Sequence, residues 1–392
     1  MTTDRLRERA GQLQARIVEW RRELHRHPEL GFEERRTAAF VAERLHALRL
    51  EVRTGVARTG VVGVLRAPEA IGAAVLLRSD MDALPVHEVA GREYGSVVAG
   101  KMHACGHDGH MAMMLGAATL LSESRSELRR DVVFCFQPAE EGLGGARAML
   151  DTGFLGETGV GSAYGLHLWS LFPAGTLQMR PGPAMAAQDE FAATVIGRGG
   201  HAALPHRALD PIVAAASAVT ALHSIVSRNV DPTEAAVVAV GSVHGGSAPN
   251  VIPDEVRLEG TLRSFSEEVR GILRKRVAEV LEGTALAHGC TVRFELKPGF
   301  PAVVNDPGAT ERSREIAAEV VGASNVIEHA PMAASEDFAY FLREVPGTFI
   351  FVGAGNDARG ITAPHHSADF DIDESVLSTG AELLARLALE GR

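Results

Sequence analysis

The run HACGHDGH (103–110) places His103, Cys105, His107, Asp108 and His110 within eight positions. Imidazole and thiolate are the side chains that hold zinc and its neighbours in the transition series. The apolar stretch MAMMLGAATLL follows at once and reads as a buried helix. At the start of that helix, a Cys105 thiolate is expected to gain from the positive end of the helix dipole. No second cysteine stands nearby, so a disulfide or CxxC redox motif is excluded. The alternative is a polar turn whose histidines cap a helix. A second signal is the pair Glu140-Glu141 in FQPAEEG. Adjacent carboxylates repel unless a cation offsets the repulsion. With a divalent cation, one can coordinate while the other takes a proton from water whose pKa the metal has lowered. Without one, the pair would be a solvated turn or a helix N-terminus.

Three apolar runs look like the strands that must position these groups. AAVLL (73–77) leads into Arg78-Ser79-Asp80-Met81-Asp82, DVVFCF (131–136) into the paired glutamates, and GSAYGLHLW (161–169) carries His167 near its end. In open α/β sheets ligands bind beyond the carboxyl ends of the strands. Helices and strands alternate to about residue 184, as in a layered α/β domain. Leu6, Ala10, Leu13 and Ile17 recur at helical spacing and predict an amphipathic first helix. A stretch rich in Pro, Gly and small residues, 173–188, suits a crossover between domains.

The following segment has another rhythm: a strand in DEFAATVIGRGG, a helix over 210–227, strands over 234–246 and 254–265, a helix over 267–289 and a strand over 290–297. This β-α-β-β-α-β order is that of a split βαβ, ferredoxin-like sheet with two helices on one face. The expected architecture is thus α/β: a layered catalytic domain (1–186 and 298–392) carrying an inserted α+β domain (187–297). Within the insert, His201 follows a glycine-rich turn, Asn250 follows a Ser-Ala-Pro loop, and Arg263 lies on a strand. Together they offer a donor for a developing oxyanion and a guanidinium for a carboxylate. Beyond residue 300 the α/β pattern resumes, with a helix near 308–321, a strand over 347–355 and a closing helix. His365 and His366 fall in the last loop, where function concentrates.

At 392 residues the chain exceeds what one core usually serves. Its 39 basic and 50 acidic residues give a net charge of −11, which disfavours a nucleic-acid partner. The three scattered cysteines fit a reducing compartment. The charged N-terminus lacks a signal-peptide core, and no apolar run is long enough to span a membrane. The expectation is a cytoplasmic protein with no membrane partner.

Nine motifs occur in family order: RRELHRHPELGFEE, RSDMDALPV, HACGHDGH, FQPAEEG, GLHLW, GRGGHAALPH, PNVIPDEV, GTLRSF and SEDFAYF. With them the chain resembles the metal-dependent amidohydrolases that include hippurate hydrolase, N-acyl-amino-acid amidohydrolases and auxin-conjugate hydrolases. These lie within the aminoacylase and glutamate carboxypeptidase superfamily. The resemblance implies two divalent ions per subunit (Zn, Mn, Co or Ni) held by Cys105, His107, Glu141, His167 and His366. It implies Glu140 as general base. His201 and Asn250 take lid positions that bind substrate and steady the tetrahedral intermediate, and Arg263 takes the substrate carboxylate. His366 is preferred to His365 because HSADFDIDE aligns without a gap to a His-Ser-Pro-type motif, with Ala368 in place of the usual Pro. Asp82 is implied as support behind the ligands. The inserted domain is implied as a lid that forms a homodimer or higher homo-oligomer, often lending its histidine to the neighbouring subunit. The expected reaction is hydrolysis of a small N-acyl or N-aroyl amino acid. The alternatives are a dipeptidase or carboxypeptidase with the same dinuclear site, and a catalytically silent metal-binding or ligand-sensing protein.

Overall fold

Strands buried on both faces read as continuous apolar runs, and such strands pair in parallel between covering helices. Four of them form the centre of an eight-stranded sheet, in the spatial order Val132–Gln137, Ala74–Asp80, Val160–Pro173 and Gly347–Gly355, all parallel. The computed structural model describes residues 3–390. Antiparallel strands Glu51–Val56 and Gly60–Leu65 extend the sheet at one edge, and the short strands Leu177–Gln178 and Val326–Ile327 at the other. This sheet belongs to a compact unit made of the residues up to Ala184, Val304–Ala330 and those from Asp337 onward.

The first helix, Thr3–Arg26, buries Leu6, Ala10, Leu13 and Ile17 as its periodicity predicts. The helix His107–Glu123 is buried at every position from His107 to Leu121. Gly116 allows its neighbours to close in, since a Cβ there would lie 2.8 Å from both Ala381 Cβ and Ile17 Cδ1. Those two residues come from the closing helix Leu377–Glu390 and the first helix. The strand expected over 73–77 runs on to Asp80. Arg78 and Asp80 enter the sheet as a buried ion pair at 2.8 Å, so neither charge ends the strand. The run 161–169 likewise extends to Val160–Pro173.

A second unit comprises Met185–Val303 together with Pro331–Glu336. Its four-stranded antiparallel sheet has the order Ala236–Gly245, Glu255–Ser264, Ala187–Ile196, Thr291–Pro298. That is the split βαβ arrangement. Alternate burial along Glu255–Ser264 marks a sheet with one covered face. The cover is made by helices Pro211–Leu222 and Glu267–Ala287, whose Ala214, Ala218, Leu273, Val277 and Leu281 join a core with Phe191, Val195, Leu258 and Leu262. Asp210 caps the first helix through Ile212 N–H and Val213 N–H, and Ser266 the second through Val269 N–H. The single helix expected over 210–227 is two, interrupted at His223 before Ser224–Asn229. Among the described residues no helix is long and apolar enough to cross a membrane.

Candidate metal centre

The carboxyl ends of the parallel strands bring the predicted groups to one rim. Asp80 and Gln137 are paired across adjacent strand ends, and the register of the next strand sets His167 level with them, within a strand that continues to Pro173 rather than near its end. Ligand atoms of Cys105, His107 and His167 lie within 4.8 Å of one another, as do those of Cys105, Glu141 and His366 and those of His107, Glu140 and Glu141. The five expected ligands and the expected base therefore share one site. Cys105, His107, His167 and Glu140 are buried, whereas the His366 side chain is about half exposed.

Hydrogen bonds from the far side of two rings decide which nitrogen faces this site. His107 Nδ1 donates to the Asp82 carbonyl at 2.8 Å and His167 Nδ1 to the Leu168 carbonyl at 2.7 Å. A carbonyl only accepts, so both rings carry hydrogen at Nδ1 and turn Nε2 inward. His167 Nε2 stands 3.6 Å from Cys105 Sγ. His107 Nε2 and Glu141 Oε1 are buried without a hydrogen-bond partner. Burial would lower His107, but Asp80, Asp82 and Glu141 outweigh it and push the imidazole up to about 10. The surroundings of His107 Nε2 thus call for positive charge.

The thiol responds oppositely. Burial, with Glu141, Glu140 and Asp80 adding to it, drives Cys105 well above its ordinary value. The expected gain from the helix start is overruled, because burial and then the three carboxylates disfavour the thiolate. A divalent cation reverses both balances, taking a thiolate and a neutral imidazole as ligands. The donor set and its orphaned buried atoms fit such an ion.

The other histidines of the cluster are occupied differently. His110 donates from Nδ1 to Asp80 Oδ1 at 2.7 Å and accepts Leu168 N–H at Nε2, so both nitrogens are committed. His103 is buried with neither nitrogen hydrogen-bonded, and burial first of all lowers it to about 4. Asp108 turns away to Arg21 and His25, each at 2.8 Å. His365 lies 2.9 Å from the Leu168 carbonyl through Nε2 and stacks on Trp169 at 4.2 Å. His366, at φ +66°, is pinned by its N–H to Ala104 O and brings Nε2 within 3.4 Å of Glu141 Oε1. Of the two, His366 is the one whose ring nitrogen groups with Cys105 and Glu141.

Asp82 supports the site through the backbone of the paired glutamates: its two oxygens accept Glu140 N–H and Glu141 N–H, each at 3.0 Å. In the second unit, His201 and Asn250 come together on a small exposed ribbon, where His201 pairs with Val251 and Ala202 N–H donates to Asn250 O. Arg263 lies apart from them on Glu255–Ser264 and donates to Ala333 O at 2.7 Å. Burial lowers its guanidinium. The roles of Glu34, Arg78 and Asp337 around the Glu140 loop were not legible. All three lie in recognisable motifs, but their partners are remote in sequence.

A sequence model described as peptidase family M20/M25/M40 matches residues 76–390. The chain is 42% identical over 376 residues to IAA-amino acid hydrolase ILR1-like 4 of Arabidopsis thaliana, covering 95% of this chain and 84% of that protein. It is 38% identical over 392 residues to thermostable carboxypeptidase 1 of Saccharolobus solfataricus, covering 99% and 98%. Among solved structures, the Bacillus subtilis YXEP protein, described as a dinuclear metal-binding peptidase of family M20, superimposes with a TM-score of 0.84 at 33% identity, covering 97% of this chain and 98% of that one.

Proposed function

Because the chain belongs to peptidase family M20/M25/M40, with an IAA-amino acid hydrolase among its relatives, we propose that it hydrolyses the amide of N-acyl or N-aroyl amino acids, releasing a carboxylic acid and a free amino acid. The observation that carries this reading is the convergence of Cys105, His107, Glu141, His167 and His366 beside a separate glutamate, Glu140. We assign those five residues to two divalent ions. The mixed sulfur, nitrogen and oxygen donors suit Zn²⁺, Mn²⁺, Co²⁺ or Ni²⁺. Bound there, the ions supply Lewis-acid polarisation of the scissile carbonyl and water that ionises near neutrality. Glu140 takes the proton of the attacking water and delivers it to the leaving nitrogen. Arg263 is assigned to the substrate carboxylate, and His201 and Asn250 to the tetrahedral oxyanion.

The acyl half of this reading has support beside the ligands. Trp169 is partly exposed, with its ring 5.5 Å from His167, and Phe172 and Phe351 pack against it. Such a wall suits an apolar or aromatic acyl group. The carboxypeptidase among the relatives favours a second reading, in which the same site cleaves peptides.

Metal-reconstituted protein assayed on N-acyl amino acids, N-aroyl amino acids and dipeptides separates the two. Turnover concentrated on acylated single amino acids supports the proposal; turnover confined to peptides replaces it with the second reading. Glu140→Gln should retain metal and lose about two to four orders of magnitude in turnover.

A further inference from the structure

The loop that carries Glu140 folds back on itself. Gly145 N–H donates to Ala139 O at 3.0 Å, and a Cβ on Gly145 would stand 1.6 Å from Pro138 O. Ala139 has φ +55°, a left-handed conformation that a residue with a side chain adopts only when its surroundings hold it there. Buried carboxylates from three remote segments supply the hold. Glu34 Oε1 accepts Ala139 N–H at 2.9 Å, Asp82 accepts the two glutamate N–H groups, and Asp337 Oδ2 accepts Ala146 N–H at 2.9 Å. Glu34 and Asp337 are completely buried.

Asp337 grips the loop from both ends. Gln137 Nε2 donates to its two oxygens at 2.8 and 2.9 Å, Arg78 donates at 3.0 Å, and the Asp337 N–H reaches Glu140 Oε1 at 3.4 Å. Arg78 also donates to Gln137 Oε1 at 2.8 Å, so the Gln137 amide cannot turn over without facing donor to donor. Glu34 is held otherwise: its second oxygen accepts the Thr59 hydroxyl, a group that can reverse and accept.

We infer that Glu34 and Asp337 are positioning residues for Glu140, setting the place of its carboxylate through the loop between Gln137 and Ala146. The inference rests on the reading of Glu140 as the base. It carries an asymmetry. An amide at position 34 keeps the Ala139 contact and receives the reversed Thr59 hydroxyl, whereas an amide at 337 sets an N–H₂ against groups that only donate.

The test uses metal-loaded enzyme and whichever amide the substrate panel shows to be turned over. Asp337→Asn and Glu34→Ala should each lower kcat about 10²-fold, the cost of misplacing a catalytic group by about an ångström. KM, metal per chain and the thiolate charge-transfer absorption of the Co²⁺-loaded protein should stay as in the parent. Glu34→Gln should keep kcat close to the parent's. In a Glu140→Gln background, neither loss should recur, since the group they position is gone. Equal fold-losses in both backgrounds, or losses that follow metal content, would overturn the positioning role while leaving Glu140 as base. A Glu140→Gln protein with undiminished kcat would remove the base itself, and the inference with it. If Asp337→Asn does not fold, the Glu34 pair decides: a normal kcat for Glu34→Ala defeats the inference, and a loss in Ala but not Gln sustains it.

Discussion

At the scale of single residues, the site's charges are arranged for a cation. Cys105 is the clearest case, because its buried thiol sits among Glu140, Glu141 and Asp80, which oppose ionisation. A serine hydroxyl is a far poorer ligand than a thiolate. Cys105→Ser should therefore weaken binding of at least one ion, measured as metal per chain after dialysis against a graded chelator. Full activity in chelated wild-type protein would defeat the two-metal reading. A second group reports on stability. Burial would raise Glu88, but His25, Ser96 N–H and Arg92 bring it down to about 2. A carboxyl with a folded-state value below its unfolded value stabilises the fold above the ordinary glutamate range and loses that contribution as pH falls toward the folded value. Denaturant melts of chelated protein should weaken as pH falls through that window, and the slope should be shallower for Glu88→Gln. An unchanged slope would show that the ion pair with His25, at 3.2 Å, carries no linkage.

At the scale of elements, the parallel strands supply position and the loops beyond them supply chemistry. Asp80 and Gln137 reach one rim because their parallel strands end together there, and the register of the neighbouring strand, which runs on to Pro173, sets His167 level with them. The Glu140 loop depends on a close approach at Gly145. Gly145→Ala should force the Pro138 carbonyl away from the backbone at position 145, costing about 1–3 kcal/mol by overpacking. Turnover should fall more than the loss of folded protein explains, as compared by thermal melts and by kcat per bound metal. A Gly145→Ala protein with parental kcat would show that the loop tolerates reopening.

At the scale of the whole molecule, we propose that the second unit pairs with its copy in a homodimer. Its strand Ala236–Gly245 is an outer strand of the four-stranded sheet among the described residues and exposes Val237 and Val243, and the helix beside it exposes Ile212 and Val213. Unpaired edges and apolar residues of this kind invite pairing. If His201 serves the partner's site, His201→Ala should lower turnover about 10²–10³-fold with metal retained. Mixed dimers of His201→Ala and Glu140→Gln subunits should then regain part of the activity, because one hybrid site holds both intact groups. Verified hybrids with no recovery would place His201 in its own subunit's chemistry, and a normal rate for His201→Ala would remove its role.

Much of this was legible because the signals are local. Periodicity placed the first helix, continuous apolar runs placed the parallel strands, and the β-α-β-β-α-β order carried the inserted sheet. HACGHDGH and the Glu140-Glu141 pair marked metal-binding chemistry through residue type at short spacing, while the assignment of individual ligands and of the base came from the family resemblance. Other features required the folded chain. Whether Asp108 and His110 face the site, or His365 rather than His366, depends on which backbone carbonyl or carboxylate meets each ring. The strand through Arg78 and Asp80 continues because a charge pair closes in three dimensions, against the apparent end of the apolar run. Glu34 and Asp337 converge on the Glu140 loop from 105 and 191 positions away, measured to Ala139 and Ala146. Residue type and spacing encode what a side chain can do; only the tertiary structure selects its partner, because burial makes each hydrogen bond and charge answer to whatever the fold brings beside it.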